Sequence, residues 1–186
     1  MSAQEILKVL ITGGCRSGKS EYALGLAEGS ANKVFLATAE GKDQEMCERI
    51  ERHRLRRGRG WRTVEEPLNL VSALAGYKSE ADLIVIDCVT LWLSNLLLRG
   101  DSPESILNQI NALAREVQSA GTNLIMVTNE VGSGIVPVND LARRFRDLVG
   151  FGNQRLAKVC HRVVLMVAGL PLVIKEENHG TVKSMA

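Results

Sequence analysis

The stretch Leu7-Lys8-Val9-Leu10-Ile11-Thr12-Gly13-Gly14-Cys15-Arg16-Ser17-Gly18-Lys19-Ser20 decides the fold. Its first half, Leu7 to Thr12, is a short apolar run rich in branched residues, the composition of a strand covered on both faces. Its second half, Gly13 to Ser20, fits G-x-x-x-x-G-K-[ST] and leads into a helical pattern from Lys19 to Ala27. Strand, glycine-rich turn and helix in that order make a phosphate cradle. The glycines let successive N–H groups face one point, Lys19 reaches the β- and γ-phosphates, and the Ser20 hydroxyl is suited to Mg²⁺. A glycine-rich turn with no ligand is the bland alternative, and the Lys-Ser pair in register with the strand argues against it. Gly13, Gly14, Cys15, Arg16, Ser17, Gly18, Lys19 and Ser20 are therefore nucleotide-binding candidates, with Lys19 also catalytic.

Outward from this motif, short β-branched runs alternate with longer helical patterns, the signature of βα units on a mostly parallel sheet. The spacing predicts strands over Leu7–Thr12, Lys33–Ala37, Leu83–Asp87, Leu124–Thr128 and Val163–Val167, and helices over Lys19–Ala27, Asp43–Arg57, Leu68–Ala75, Pro103–Ser119 and Asn139–Val159. The last helix holds Gly150 and Gly152 and is expected to be kinked or split. Pro171–Lys175 follows the Gly169-Leu170-Pro171 break closely enough to add an antiparallel hairpin at the sheet edge. Ser102 before Pro103 reads as a helix cap. The tail after Glu176 has no period and is expected to be loose. With 186 residues and no linker or repeat, a single domain over residues 1–186 is expected, α/β in class.

A magnesium site beside such a cradle needs a carboxylate at a neighbouring strand end, and Asp87 closes the run Leu83-Ile84-Val85-Ile86. Ser20 and Asp87 are thus the metal candidates. A carboxylate capping a helix that begins near Thr90 is the other reading of Asp87. Thr128 to Pro137 follows another strand and is glycine-rich, so Asn129 and Glu130 fall at the carboxyl edge of the sheet, where they are candidates to orient a substrate hydroxyl or metal-bound water. Arg143, Arg144 and Arg146 are a possible second anion contact or simply the charged face of a helix.

Composition narrows the class. Hydrophobic residues make up 45% and charged residues 24%, which fits a soluble globular protein. The formal charge of +2 is too small to imply nucleic-acid or membrane binding, and only two Trp, two Tyr and three Phe are available for base stacking. Charge is instead concentrated locally: Arg49, Arg52, Arg54, Arg56, Arg57, Arg59 and Arg62 oppose Glu51 alone, a cluster that suits an anion. The four cysteines form no CxxC pair, and no apolar stretch approaches the roughly 20 residues of a membrane span, so a cytoplasmic protein is expected. Cys15 and Cys88 flank the motifs but read as packing residues.

The segments GGCRSGKS, FLATAE, DQEMCERIERHRLRR, IDCVTLWLSNLL and VTNEVGSGIVPVNDLARRFRDLVGFGNQRLA, in this order, resemble the bifunctional adenosylcobinamide kinase and adenosylcobinamide-phosphate guanylyltransferases of cobalamin biosynthesis. The resemblance runs from about Val9 to Lys175 and implies a RecA-like P-loop NTPase fold in three layers. It implies phosphorylation of adenosylcobinamide by ATP or GTP, then transfer of GMP from GTP to adenosylcobinamide-phosphate, with Mg²⁺ as cofactor. A homotrimer is also implied. In the family GMP passes through a histidine in the helix after the second strand, and His53 matches that position. Some members carry two adjacent histidines there, whereas this chain has Arg52 before His53. The matching nucleotide contacts are Ala37, Thr38 and Ala39, then Arg54, Leu55, Arg56 and Arg57, and Glu65.

The residues themselves leave His53 open. Met46, Ile50 and His53 fall at helical spacing on one apolar face, where a histidine is more often a satisfied core residue than a catalyst. A neutral imidazole is a good nucleophile at phosphorus, and the nearby arginines can offset charge on the α-phosphate and on departing pyrophosphate. His161 and His179 lie outside every matched segment. Two other readings compete: a single-function small-molecule kinase with a structural His53, and a nucleic-acid motor, which the scarcity of aromatics disfavours. Trp92 and Leu96 are possible corrinoid-lining residues or core.

Overall fold

The structure, a computed structural model, describes residues 7–41 and 43–177. His179 and the expected loose tail beyond Glu177 lie outside the described residues. The strands are β1 (Lys8–Gly13), β2 (Lys33–Ala37), β3 (Trp61–Glu65), β4 (Leu83–Asp87), β5 (Asn123–Val127), β6 (Arg162–Val167) and β7 (Leu170–Glu176). They form one sheet in the order β3-β2-β4-β5-β1-β6-β7, parallel except for β7, which returns antiparallel to β6 through Ala168 and Gly169. The expected edge hairpin is present.

The helices are α1 (Lys19–Leu26), α2 (Gln44–Arg57), α3 (Leu70–Tyr77), α4 (Val89–Arg99), α5 (Pro103–Ser119) and α6 (Asp140–Val159). Alternation along the strands divides the core in two. Leu10, Ile84, Ile86, Leu124 and Met126 face α3 to α6 and join Trp92, Ile106, Ile110 and Leu156. Val9, Ile11, Leu83, Val85, Ile125 and Val127 face α1, through Ala23 and Ala27. The crossovers through α1 and through α3 to α6 thus place helices on two buried faces, and the carboxyl ends of the parallel strands lie at one edge.

Two elements differ from expectation. β3 is an edge strand in which Trp61 and Val64 are half-buried and Arg62, Thr63 and Glu65 are exposed, so it has no apolar run to announce it. α4, anticipated only through the alternative reading of Asp87 as the cap of a helix near Thr90, buries Val89, Thr90, Trp92, Leu93, Asn95 and Leu96. Cys88, not Asp87, caps it, Sγ accepting from the N–H of Leu91 at 3.4 Å.

α6 runs unbroken through both glycines. A Cβ on Gly152 would meet Leu93 Cδ1 at 3.2 Å and Ile110 Cδ1 at 3.7 Å, so this glycine lets α6 approach α4 and α5. Ser102 caps α5 as expected, its Oγ accepting from the N–H of Ser105 at 3.2 Å. Trp92 and Leu96 are both wholly buried, with the indole N–H donating to the Leu68 carbonyl at 2.9 Å, so neither lines a substrate surface.

Candidate active site

The turn from β1 to α1 has the backbone its glycines anticipate. Gly13 sits at φ +146°, where a Cβ would lie 2.4 Å from the Met166 carbonyl oxygen, so only glycine fits against β6. Gly18, at φ +92°, precedes α1 and leaves its first turn without a side-chain cap, which keeps those N–H groups aimed into the loop. Lys19 is buried and its Nζ donates to the carbonyls of Gly13, at 3.0 Å, and of Gly14. The ammonium is therefore held inside the ring of the loop.

Register brings the second half of the site alongside. Asp87 ends β4 opposite Ala37 of β2 and Val127 of β5, and Val127 is also opposite Ile11 of β1. Across this edge Ser20 Oγ donates to Asp87 Oδ2 at 3.0 Å. The same oxygen stands 3.8 Å from His53 Nδ1, and the imidazole is about one-third exposed, 35%. α2 brings His53 there because Asp43 fixes its start, Oδ1 accepting from the N–H of Met46 at 2.8 Å. No described side chain of α2 is fully buried, so the helix lies over the cleft as a cover.

The cleft has a volume of about 520 Å³, within the usual span for small-molecule sites. Cys15 to Ser20 form its floor, with Ala37, Ala39, Glu65, Asp87 and the arginines Arg54, Arg56 and Arg57 around it. The Arg57 guanidinium stacks 3.9 Å above the Phe35 ring, which in turn meets Trp61 edge-on. Burial lowers the pKa of Arg57, against the pull of Asp87 and Glu65. Burial also pushes the Cys88 thiol up to about 12, helped by the adjacent Asp87 charge, which fits a packing residue.

Some expected residues turn elsewhere. Thr38 is fully buried, its Oγ1 donating to the Cys88 carbonyl at 2.7 Å and accepting the Cys88 N–H at 2.8 Å. Its side chain ties β2 to β4 while Ala37 and Ala39 face the cleft. Leu55 is 70% exposed on the far side of α2, beside Glu48, Glu51 and Arg52. Arg143 holds the Pro137 carbonyl at 3.1 Å, and both Arg143 and Arg144 pair with Asp140, away from the cleft. The wall also includes Phe35, Leu91 and Asn129, which the sequence did not single out as nucleotide contacts. Phe35 was legible in principle, since it shares a strand face with Ala37.

Residues 9–174 match the family described as cobinamide kinase / cobinamide phosphate guanyltransferase. The chain belongs to that family. It is a transferase. It is 43% identical over 172 residues to the bifunctional adenosylcobalamin biosynthesis protein CobP of Pseudomonas aeruginosa, covering 92% of this chain and 99% of the relative. It is 38% identical over 181 residues to the bifunctional adenosylcobalamin biosynthesis protein CobU of Escherichia coli, covering 91% and 100% respectively. The fold is similar to that of a type III secretion system ATPase, with TM-score 0.51 and 11% identity over 86% of this chain and 50% of the other. A Pyrococcus horikoshii protein solved as project PH0250 is similar too, with TM-score 0.55 and 8% identity over 93% and 88%. The chain shares its mostly parallel α/β fold with both. Among its described residues, no helix is long and apolar enough to cross a membrane.

Proposed function

We propose that this chain phosphorylates adenosylcobinamide with ATP or GTP and then transfers GMP from GTP to the product, giving adenosylcobinamide-GDP and pyrophosphate. One domain spanning residues 1–186 serves both reactions. The observation that carries this reading is the double contact of Asp87: a single carboxylate oxygen adjoins both the Ser20 hydroxyl of the phosphate loop and the imidazole of His53.

In the first reaction Lys19 and the loop N–H groups hold the β- and γ-phosphates. In the second, His53 Nε2 attacks the α-phosphorus of GTP. The α,β-bridging P–O bond breaks and its electron pair leaves on pyrophosphate. A phosphate oxygen of adenosylcobinamide-phosphate then attacks the same phosphorus, the P–N bond breaks, and its pair returns to the imidazole. Asp87 beside Nδ1 suits a proton on that nitrogen, leaving Nε2 with the lone pair. Arg54, Arg56 and Arg57 stabilise charge on the α-phosphate and pyrophosphate, while Ala37, Ala39 and Glu65, with the Thr38 backbone, contact the nucleotide.

Mg²⁺ fits the donor set. Ser20 Oγ and Asp87 Oδ2 are two hard oxygens already within 3.0 Å, and Mg²⁺ characteristically takes one or two protein oxygens and completes its shell from phosphates and water. Held by Ser20 and Asp87, it would offset negative charge on the nucleotide phosphates.

Exposed Ile135, Val136 and Val138 beside the cleft loop, and Leu170, Leu172 and Ile174 on β7, support association between copies, consistent with a homotrimer. Free, exposed Cys15 and Cys47 suit a reducing cytoplasm. Nucleic acid is not among the proposed partners.

Incubation with GTP labelled at the α-phosphate tests the covalent step. The protein should take up label that is acid-labile and alkali-stable, and His53→Ala should take up none. A normally labelled His53→Ala protein would leave a single-function kinase as the better reading.

A further inference from the structure

The carboxyl end of β5 is fixed to the phosphate loop residue by residue. The N–H of Thr128 donates to the Ile11 carbonyl at 2.9 Å and that of Glu130 to the Gly13 carbonyl at 3.1 Å, so the chain stays zipped to β1 into the loop itself. Between them, the Asn129 N–H donates to Thr90 Oγ1 at 2.6 Å, and the Asn129 carbonyl accepts from Asn153 Nδ2 at 3.0 Å. The hydroxyls behind it form a consistent relay. Thr128 Oγ1 donates to Asn153 Oδ1 at 2.7 Å, so in the 3.0 Å contact between Thr90 and Thr128 the proton belongs to Thr90. Both threonines are buried, and all three side chains are spent on one another and on the Asn129 backbone.

This clamp presents a single group. Asn129 lines the cleft with Lys19, Ser20 and Asp87, and no hydrogen bond engages its carboxamide among the described residues. Glu130 is different: its carboxylate accepts from the N–H of Gly132 and lies 3.5 Å from Ser133 Oγ, closing its own loop. Of the two polar residues at this strand end, only Asn129 lines the cleft.

We infer that Asn129 is a further catalytic residue of the phosphorylation step, its Nδ2 donating to an oxygen of the transferring γ-phosphoryl group, with Thr90 and Asn153 as positioning residues. The inference rests on the two-reaction reading. In the step concerned, the acceptor hydroxyl oxygen bonds to the γ-phosphorus as the β,γ-bridging P–O bond breaks. The electron pair leaves on the nucleoside diphosphate and the hydroxyl proton is lost to solvent. Asn129 transfers no proton; a carboxamide is neutral, so it steadies the equatorial charge without repelling it. Guanylyl transfer reacts at the α-phosphorus, two phosphorus atoms away, and depends on Asn129 far less.

Both steps are measured on the full chain: nucleoside diphosphate release with cobinamide, resolved into kcat and KM, and protein labelling from α-labelled GTP. Asn129→Ala should lower the phosphorylation kcat by about 10²- to 10³-fold, at least tenfold more than it lowers labelling. Asn129→Asp should be no better, since it adds a negative charge. Thr90→Val should lower the phosphorylation kcat by about tenfold and Thr90→Ser should restore it, with circular dichroism confirming the fold. Asn129→Ala with phosphorylation within threefold of wild type, or with equal losses in both steps, overturns the inference. Wild-type protein that phosphorylates cobinamide but takes no label sinks the histidine carrier instead, and Asn129 then stands or falls on phosphorylation alone.

Discussion

His53 and Asp87 face each other across the mouth of the cleft, imidazole Nδ1 lying 3.8 Å from carboxylate Oδ2. That oxygen is also the acceptor for the Ser20 hydroxyl, so one carboxylate serves the phosphate loop and the covering helix together.

Loss of that carboxylate should therefore damage two reactions where loss of the imidazole damages chiefly one. Asp87→Ala is expected to lower both phosphorylation and guanylyl transfer by about 10²- to 10³-fold, whereas His53→Ala eliminates label transfer and slows phosphorylation far less. Parallel assays of nucleoside diphosphate release and product guanylylation separate the two patterns. Equal losses in both variants would make His53 part of a shared binding surface.

Core stability should hinge on the indole between α3 and α4. Trp92 is wholly buried and its Nε1 donates to the Leu68 carbonyl. Trp92→Ala should cost about 3–5 kcal/mol through the cavity and the orphaned carbonyl, lowering the melting temperature by roughly 10 °C. Trp92→Phe, which keeps most of the volume, should cost about half as much. Urea unfolding checks both.

The glycines of α6 and of the phosphate loop should respond in opposite directions. Gly150 meets open space in a helix interior, so Gly150→Ala should stabilise by about 0.5–1 kcal/mol. Gly152→Ala should gain less, because its Cβ would press on Leu93 Cδ1 at 3.2 Å. Gly13→Ala should lose both stability and nucleotide binding, since its Cβ would lie 2.4 Å from a backbone oxygen. Thermal melts with and without GTP rank the three.

Thiol chemistry reads the two cysteine environments. Burial pushes Cys88 and Cys160 to about 12, while Cys15 and Cys47 are exposed. At neutral pH two thiols of the native protein should react with an aromatic disulfide reagent and all four cysteines once it is unfolded. Cys15 belongs to the cradle, so saturating GTP should protect one of the two; reaction unchanged by GTP would place the phosphates elsewhere.

Much of the architecture was legible in the chain because it rests on local period and composition. β1, the glycine loop and α1 follow from one continuous stretch, and β4 and β5 from uninterrupted apolar runs. What escaped is equally physical. β3 pairs with only one neighbour, so nothing requires it to be apolar, and in α4 the outer face also carries leucine, with Leu98 exposed, which blurs the contrast that would mark its buried stripe. The glycines of α6 read as a break in sequence, yet the helix runs through both, and Gly152 answers a need for close helix approach that only the neighbours define.

The sequence by itself determined the phosphate cradle, the α/β class and the family, because each is written in contiguous residues whose spacing needs no partner. The tertiary structure alone decided which candidates meet. Parallel register set Asp87 beside Ser20, an alternating strand turned Thr38 inward while Ala37 and Ala39 face the cleft, and a buried relay from Thr90 and Asn153 aimed Asn129 past Glu130. Those relations join residues tens of positions apart, and only the packed sheet and its helices specify them.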